Sequence, residues 1–533
     1  MQTLAWIAAC SAQPPADPTS AGPTPVEPPA PEPSATTWRS ALYPEDWTPA
    51  FTADEGSFLH DFSYAGYHRS ERDLPDAWPG PEVAVTAYGA SDLADDNTAA
   101  FQAAIDAVAA GGVVTIPDGT WRFTGRLRVA SSGVLLRGAG RDTTRLYFTT
   151  TAAENIAFEG APADPDPGVA LIEDGLARQH AVVVADPSGF AVGDDVRIDW
   201  TITQAFIDAH AMQGIWDADP NSALDLRKTF FRREIVAIDG DLITLDVPLR
   251  YPALLRDGAT LRRDPGALEA CGIEHLSIAN AADPAAALAN PRSHAVSFTR
   301  VKDCFVRDVA SFDPDEEPSG AHLASGGIAV VESKRVTVTG SAMAHAQNRG
   351  DGGAGYGFEA SMSNEVLFVD DLVEDVRHGF IQNWDFGASG IVWLRCTAVD
   401  DVASNSGFAT PGRSELHHRL AMANLFDSTR DTAGFAAYNR GSESSNAGHA
   451  GTETVFWNVS GEGRLSSYQA GRGYVIGTTG LEPLVVPDLI DAALQADAGT
   501  APVDWLEGVD EGESLVPSSL FTDQLARRLE SSD

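Results

Sequence analysis

Across the middle of the chain a short apolar–x–apolar pair keeps returning. Leu276-x-Ile278, Cys304-x-Val306, Val336-x-Val338, Val366-x-Phe368 and Ile391-x-Trp393 fall 28, 32, 30 and 25 residues apart. Side chains two apart share one face of a strand, so each pair marks a strand with one buried side. A recurrence of this length is far too long for a heptad and suits one turn of a solenoid. In a stack of parallel strands each side chain packs on its equivalent one coil away, roughly 4.8 Å along the axis. Unequal intervals then mean loops of unequal length between similar strands. The series predicts continuation at Leu420-x-Met422 and Val455-x-Trp457.

Residues 365–401 hold two adjoining copies of this unit. The first strand runs into Asp370-Asp371 and the second into Asp400-Asp401, with Arg377, His378, Asn383, Trp384 and Asp385 between them. Loops of a solenoid carry its function more often than its strands do. Acids that directly follow a strand also cap turns, and Asp370-Asp371 reads as such a turn.

Upstream, Asp96 or Asn97 starts a helix whose Phe101, Ile105 and Val108 share one side, and Gly111-Gly112 ends it. Short strands follow at 113–116, 121–129 and 134–136. The open end of a coil stack exposes core and unpaired strand edge, and an amphipathic helix can cover both. The run TAYGASDLADDNTAAFQAAIDA, then GGVVTIPDGTW and GVLLRGAG, resembles the opening of the pectate lyase superfamily, in its rhamnogalacturonase- and epimerase-like branch. That resemblance covers about seventy residues. It implies an all-β chain: a right-handed parallel β-helix, a pectin-lyase-like solenoid, with an N-terminal capping helix. It implies no single reaction, since the superfamily includes lyases, hydrolases, epimerases and phage tailspikes.

The remaining segments complete the layout. Residues 1–10 end in Ala8-Ala9-Cys10, which resembles a bacterial lipobox, although the preceding apolar run is short and carries no Lys or Arg. Lipidation of Cys10 would anchor an exported protein to the cell envelope; without it the protein would be extracellular. Residues 11–37 hold nine prolines and form an extended tether. Residues 38–80 are aromatic and irregular, a strap for the solenoid side. Residues 81–178 form the cap and first coils. Residues 179–262 alternate apolar and polar around Asp-Gly and Gly-Asp turns, a β-rich hairpin insertion. Residues 263–480 form the main β-helix and its groove, and 481–533 a C-terminal cap with Phe521, Leu525 and Leu529 spaced four apart.

The chain holds 36 basic and 76 acidic residues, a net charge of −40. That excludes nucleic acid as a partner, because a phosphate backbone would be repelled. Only three lysines occur, at 228, 302 and 334. Cys271, Cys304 and Cys396 read as small core residues.

Polar residues gather between 345 and 449, Glu359 and Glu415 among them, interleaved with aromatics. Sugar rings offer apolar faces to aromatic planes and hydroxyls to polar groups, so the mixture suits a polysaccharide groove. Glycoside hydrolysis, the leading reading, needs two carboxylates. Asp385, Asp400 and Asp401 are the first candidates, with Asp351 and Glu359 behind them and His378 assisting. Asp400-Asp401 resembles the paired aspartates of polygalacturonase-like hydrolases, but that family's Gly-His-Gly and Arg-x-Lys are absent and no role transfers. β-Elimination on a uronate glycan is the alternative. It needs a base (His378, His417 or Tyr438) and a cation to neutralise the carboxylate (Arg377, Arg413, Arg440 or calcium). Asn383, Trp384 and His449 complete the expected substrate wall. A third reading is a glycan-binding surface adhesin without turnover. No His-x-His or Cys-x-x-Cys occurs, so no metal ligands are assigned; residues 313–322 are acidic enough for Ca2+ but read as a solvated turn.

Overall fold

The computed structural model describes residues 36–531, apart from 152–153, 163–166, 218–226, 282, 290–292, 315–318, 351–352, 401–411, 487–499 and 501. The Cys10 lipobox, the tether up to residue 35, Asp351 and Asp401 therefore lie outside the described residues.

The chain folds as a parallel β-helix whose coils present three strand ladders. The first ladder runs from Glu82–Ala84 through Gly112–Ile116, Lys334–Thr339, Leu367–Val369 and Val392–Leu394 to Trp505–Glu507. The second includes Gly119–Phe123, Thr144–Phe148, Ala342–Ala344, Leu372–Glu374 and Thr397–Val399. The third stacks Leu127–Val129, Ile156–Glu159, His294–Thr299, Gly326–Val331, Tyr356–Ser361, His378–Gln382, Ser414–Leu416 and Gly434–Tyr438. Register is in phase along each ladder, so like sits on like. Phe368, Trp393, Phe426 and Phe456 make an inward aromatic column, with successive ring centroids 6.2, 4.2 and 5.1 Å apart and planes within 13°. Stacked pairs of this kind add about 0.5–1.5 kcal/mol each beyond their buried area.

The expected repeats at 304, 336, 366 and 391 occupy this first ladder. Three others take different places. Ile273, not Ile278, pairs with Val306, while Leu276 lies beside Val309 on the second face. Phe426 pairs with Trp393, so Leu420-x-Met422 belongs to the preceding corner. Phe456 pairs with Phe426 and points inward, which turns Val455 and Trp457 outward. The reason lies in burial on both sides: Leu42, Tyr43, Trp47, Leu59 and Phe62 cover the outer side of the first face, joined by Leu520 and Phe521. Both parities of those strands are thus apolar, and alternation cannot tell inside from outside.

The helix Thr98–Ala107 closes the N-terminal end, burying Phe101, Ala104 and Ile105. The Asp96 carboxylate accepts from the Thr98 amide at 2.9 Å, which makes it the effective cap. At Gly112, φ is 155° and an added Cβ would stand 2.5 Å from the Pro81 carbonyl, so the turn after this helix requires glycine. The helix Leu520–Glu530 lies on the outer flank and buries Leu520, Phe521 and Gln524, whereas Leu529 is exposed.

Between the third-face strands Ile156–Glu159 and His294–Thr299 the chain makes its excursion. Strands Val169–Ala170, Thr260–Arg263, Asp195–Thr201, Arg227–Asp239, Leu242–Leu245 and Ala181–Val183 form a six-stranded sheet, in that order and antiparallel throughout. It docks on the corner between the third and first faces, where Phe386, Leu420 and Met422 join its apolar core. Polar contacts fix the seat. Glu365 accepts from Arg250 at 2.8 and 3.2 Å and stands 3.4 Å from Arg233, with all three side chains essentially inaccessible.

Candidate functional site

The outward side of the third face carries the polar cluster. Glu415 follows from strand alternation: Leu416 enters the core, so Glu415 and His417 project the other way. Glu415 is buried and four groups surround its carboxylate. Arg440 Nη1 donates at 3.2 Å, Arg413 Nε donates at 3.3 Å, the His417 Nδ1–H bonds Oε1, and His378 Nε2 lies 3.6 Å away. Arg413 Nη2 also donates to the Tyr438 hydroxyl at 2.8 Å, and both guanidiniums sit over the Tyr438 ring at 5.2 and 5.5 Å. The Tyr356 ring lies 5.3 Å from His378 and 6.5 Å from His417.

Protonation follows from these surroundings. Burial alone would raise Glu415, but the Arg440 charge and the hydrogen bond from His417 oppose it, and the carboxylate is held well below its ordinary range. Burial pushes His378 down to about 4. Burial and the Arg440 charge push His417 well below the ordinary histidine value, against the upward pull of Glu415. Both imidazoles are therefore neutral near pH 7. His378 Nδ1–H donates to the Arg413 carbonyl at 2.8 Å, which leaves its Nε2 as the lone-pair nitrogen. Two guanidiniums, Arg413 and Arg440, thus share the one carboxylate of Glu415, on a chain whose total charge is −40.

Ligand atoms of His378, Glu415 and His417 lie within 4.8 Å of one another, a donor set that superficially suits a divalent metal. The two guanidiniums already bonded to Glu415 oppose it, because a metal cation would meet two fixed positive charges and compete for one carboxylate. An anion fits the same place far better.

Of the residues predicted from sequence, His378, Arg413, His417, Tyr438 and Arg440 come together here. Arg377 stands beside His378 but donates to the Gly350 carbonyl at 2.6 Å. Asn383 and Trp384 adjoin a second carboxylate, Glu359. That group accepts from Ser361 Oγ at 2.7 Å and Asn383 Nδ2 at 3.1 Å, and stands 2.9 Å from His294 Nε2. His449 is instead buried against the insertion, facing the His210 carbonyl at 3.0 Å.

Asp385 and Asp400 do not come together, and Asp401 lies outside the described residues. Asp385 follows the strand His378–Gln382 and is ion-paired to Lys228 of the insertion at 2.7 Å and to Arg419 at 3.3 Å. Asp400 is exposed after Thr397–Val399, on the approach to the opposite end of the third-face strands. A strand of five residues separates the two ends by roughly 17 Å, so they cannot act on one bond. Asp370 is in the left-handed region, with φ 56°, and is paired to Arg395; Asp371 accepts the Ser341 amide at 2.8 Å, the turn role expected of them. Glu415 is the central residue that sequence reasoning left among many. Its one sequence signal is the Glu-x-His spacing on a strand.

No protein-family model matches this sequence, and a search of curated proteins returns no relative. Among solved structures the chain is similar to the tailspike protein gp49 of Pseudomonas phage LKA1 (TM-score 0.47, 14% identity, 75% of this chain and 64% of that one). It is also similar to the A-module of an Azotobacter vinelandii mannuronan C-5 epimerase (TM-score 0.31, 12% identity, 80% and 98%). A third is the catalytic unit of an alpha-1,3-glucanase from Streptomyces thermodiastaticus (TM-score 0.32, 13% identity, 82% and 70%). The chain thus spans just under two thirds of the tailspike, and at these identities the likeness concerns fold alone.

Proposed function

We propose that this chain acts on an acidic polysaccharide and cleaves it by β-elimination beside a uronate. The observation that carries the reading is the Arg413–Arg440–His417–Tyr438 grouping around Glu415. A uronate carboxylate entering the site meets Arg413, whose charge stabilises the enolate-like intermediate formed when the adjacent C–H loses its proton. His417 is the base: its Nδ1–H is held by Glu415, so the neutral ring turns its Nε2 lone pair outward. The electron pair of the broken C–H bond becomes the new C=C bond, and the glycosidic C–O bond breaks. Tyr438 supplies the proton to the departing oxygen and recovers it from the imidazolium through solvent.

Hydrolysis loses ground on chemistry. It requires one carboxyl group that keeps a proton for the leaving group, whereas Glu415 is held ionised and Glu359 already takes two donors and faces His294. Export, and anchoring through Cys10, belong to this proposal as its cellular setting.

The test is an assay of purified protein on uronate-containing and neutral polysaccharides. Expected is an absorbance rise at about 235 nm from the unsaturated product, lost on His417→Ala and Arg413→Ala. New reducing ends without that absorbance would replace elimination by hydrolysis. Binding with neither signal would leave an adhesin.

A further inference from the structure

A groove of about 310 Å³ lies on the same outer face, toward the N-terminal coils. Its floor is dictated by register. Ser297, Ala329 and Glu359 are paired neighbours in one outward row, and Thr299, Val331 and Ser361 form the next. The intervening Val296, Phe298, Ile328, Val330, Phe358 and Ala360 all enter the core. Apart from Glu359 the side chains of these two rows are small and pave a flat strip, with His294, Met362 and the half-buried Trp384 completing the lining. An aromatic plane beside a flat strip suits the apolar face of a sugar ring.

The electrostatics here are opposite to those of the cluster. Glu154 and Glu359 both line the groove, with His294 beside Glu359, and among the described lining residues there is no Arg or Lys. A carboxylate-bearing ring would face two acids with no described Arg or Lys to receive it and His294 already held against Glu359, while hydroxyls can donate to Glu359. The row continues Glu359, Ile381, Glu415, so the groove begins two coils, roughly 10 Å, from the Arg413 cluster on the same side. One polymer laid along the axis meets both.

We propose that this groove is a specificity subsite for a carboxylate-free hexose, so that the substrate is a mixed polymer in which uronates are interspersed with uncharged sugars. The inference rests on the elimination reading for its uronate half and on the groove alone for its hexose half.

Two measurements separate these halves. In the first, an uncharged hexose tetramer is titrated into the full chain by calorimetry. Expected is binding that weakens at least tenfold in Trp384→Ala and survives in Trp384→Phe, with unchanged unfolding temperatures as the control for folding. Absence of binding, or equal binding by the Ala variant, overturns the groove proposal. In the second, kcat/KM is compared on an alternating uronate–hexose copolymer and on a pure polyuronate. Expected is at least a tenfold preference for the copolymer, reduced by Glu154→Gln with Glu359→Gln through a gain on the polyuronate. Equal rates, unmoved by the double variant, overturn the proposal while sparing elimination. Trp384-dependent hexose binding without unsaturated product from either polymer sinks elimination and keeps the groove.

Discussion

Replacing Glu365 by Gln should destabilise the protein by about 3–5 kcal/mol, because it leaves two buried guanidiniums without their counter-charge. The magnitude follows from the seat of the insertion. Arg233 and Arg250 are fully buried, and Glu365 at 1% exposure is the carboxylate ion-paired to both. Burial already pulls Arg233 down to about 10 with Glu365 present. Solvent screening cannot soften the loss, in contrast to a surface pair worth less than about 1 kcal/mol. The guanidiniums cannot simply withdraw. Arg250 donates to the Asp61 carbonyl at 2.6 Å, and Arg233 donates to the Val247 and Pro248 carbonyls at 3.1 Å each. For a folded unit of about 500 residues the unfolding entropy is roughly 1 kcal/mol per kelvin, so the expected fall in Tm is about 3–5 °C by calorimetry. Limited proteolysis should also cut first within the excursion, since its docking is what the substitution weakens. Arg250→Met should cost less, because Glu365 keeps Arg233. A fall below about 1 °C, or a larger cost for Arg250→Met, would refute the buried-triad reasoning.

Three further outcomes are expected. Asp385→Asn should keep turnover within about twofold, because its carboxylate serves Lys228 and Arg419; a loss of tenfold or more would return Asp385 to the chemistry. Phe426→Ala, which cuts the inward aromatic column, should cost about 3–5 kcal/mol, read from denaturant midpoints. Burial raises Asp427 to about 7 and Asp431 and Asp504 to about 6. The native state therefore binds more protons than the unfolded chain between about pH 4 and 7, and these groups make stability fall as pH rises through that window. Asp427→Asn should flatten the upper part of a plot of Tm against pH.

Where one side of a strand faced the core and the other did not, the coil register was legible from residues alone, as at Val336, between Arg335 and Thr337. It failed at Val455 and Trp457, where the strap makes the outer side apolar as well. The site was half legible for a related reason. Arginines, histidines and tyrosines on loops and strand ends announce themselves by type, and five of them converge. The acid pairs drew attention by adjacency, but adjacency along the chain places two acids on opposite sides of a strand or in one turn. Glu415 and Glu359 matter because register aligns them on one outward row, and that alignment spans residues 56 apart in sequence. The excursion added a second obstacle: Lys228 and Asp385 meet only after a hundred and fifty-seven residues have folded around each other.

A stack of coils need only recognise its neighbours, so such a chain can in principle assemble from one end as it leaves the ribosome. This one cannot finish that way. Trp38 bridges to Leu515, the Tyr43 hydroxyl bonds Asp523 at 2.7 Å, and Phe62 donates to Gln524 at 2.8 Å. Residues made first must stay undocked until the last helix has been made. Their aromatic side chains are meanwhile exposed, and so is the apolar outer side of the first face that they will cover. The last step of folding is then a long-range closure, slow and sensitive to aggregation. Once made, it ties the strap and the C-terminal helix together across the outer side of several coils at once.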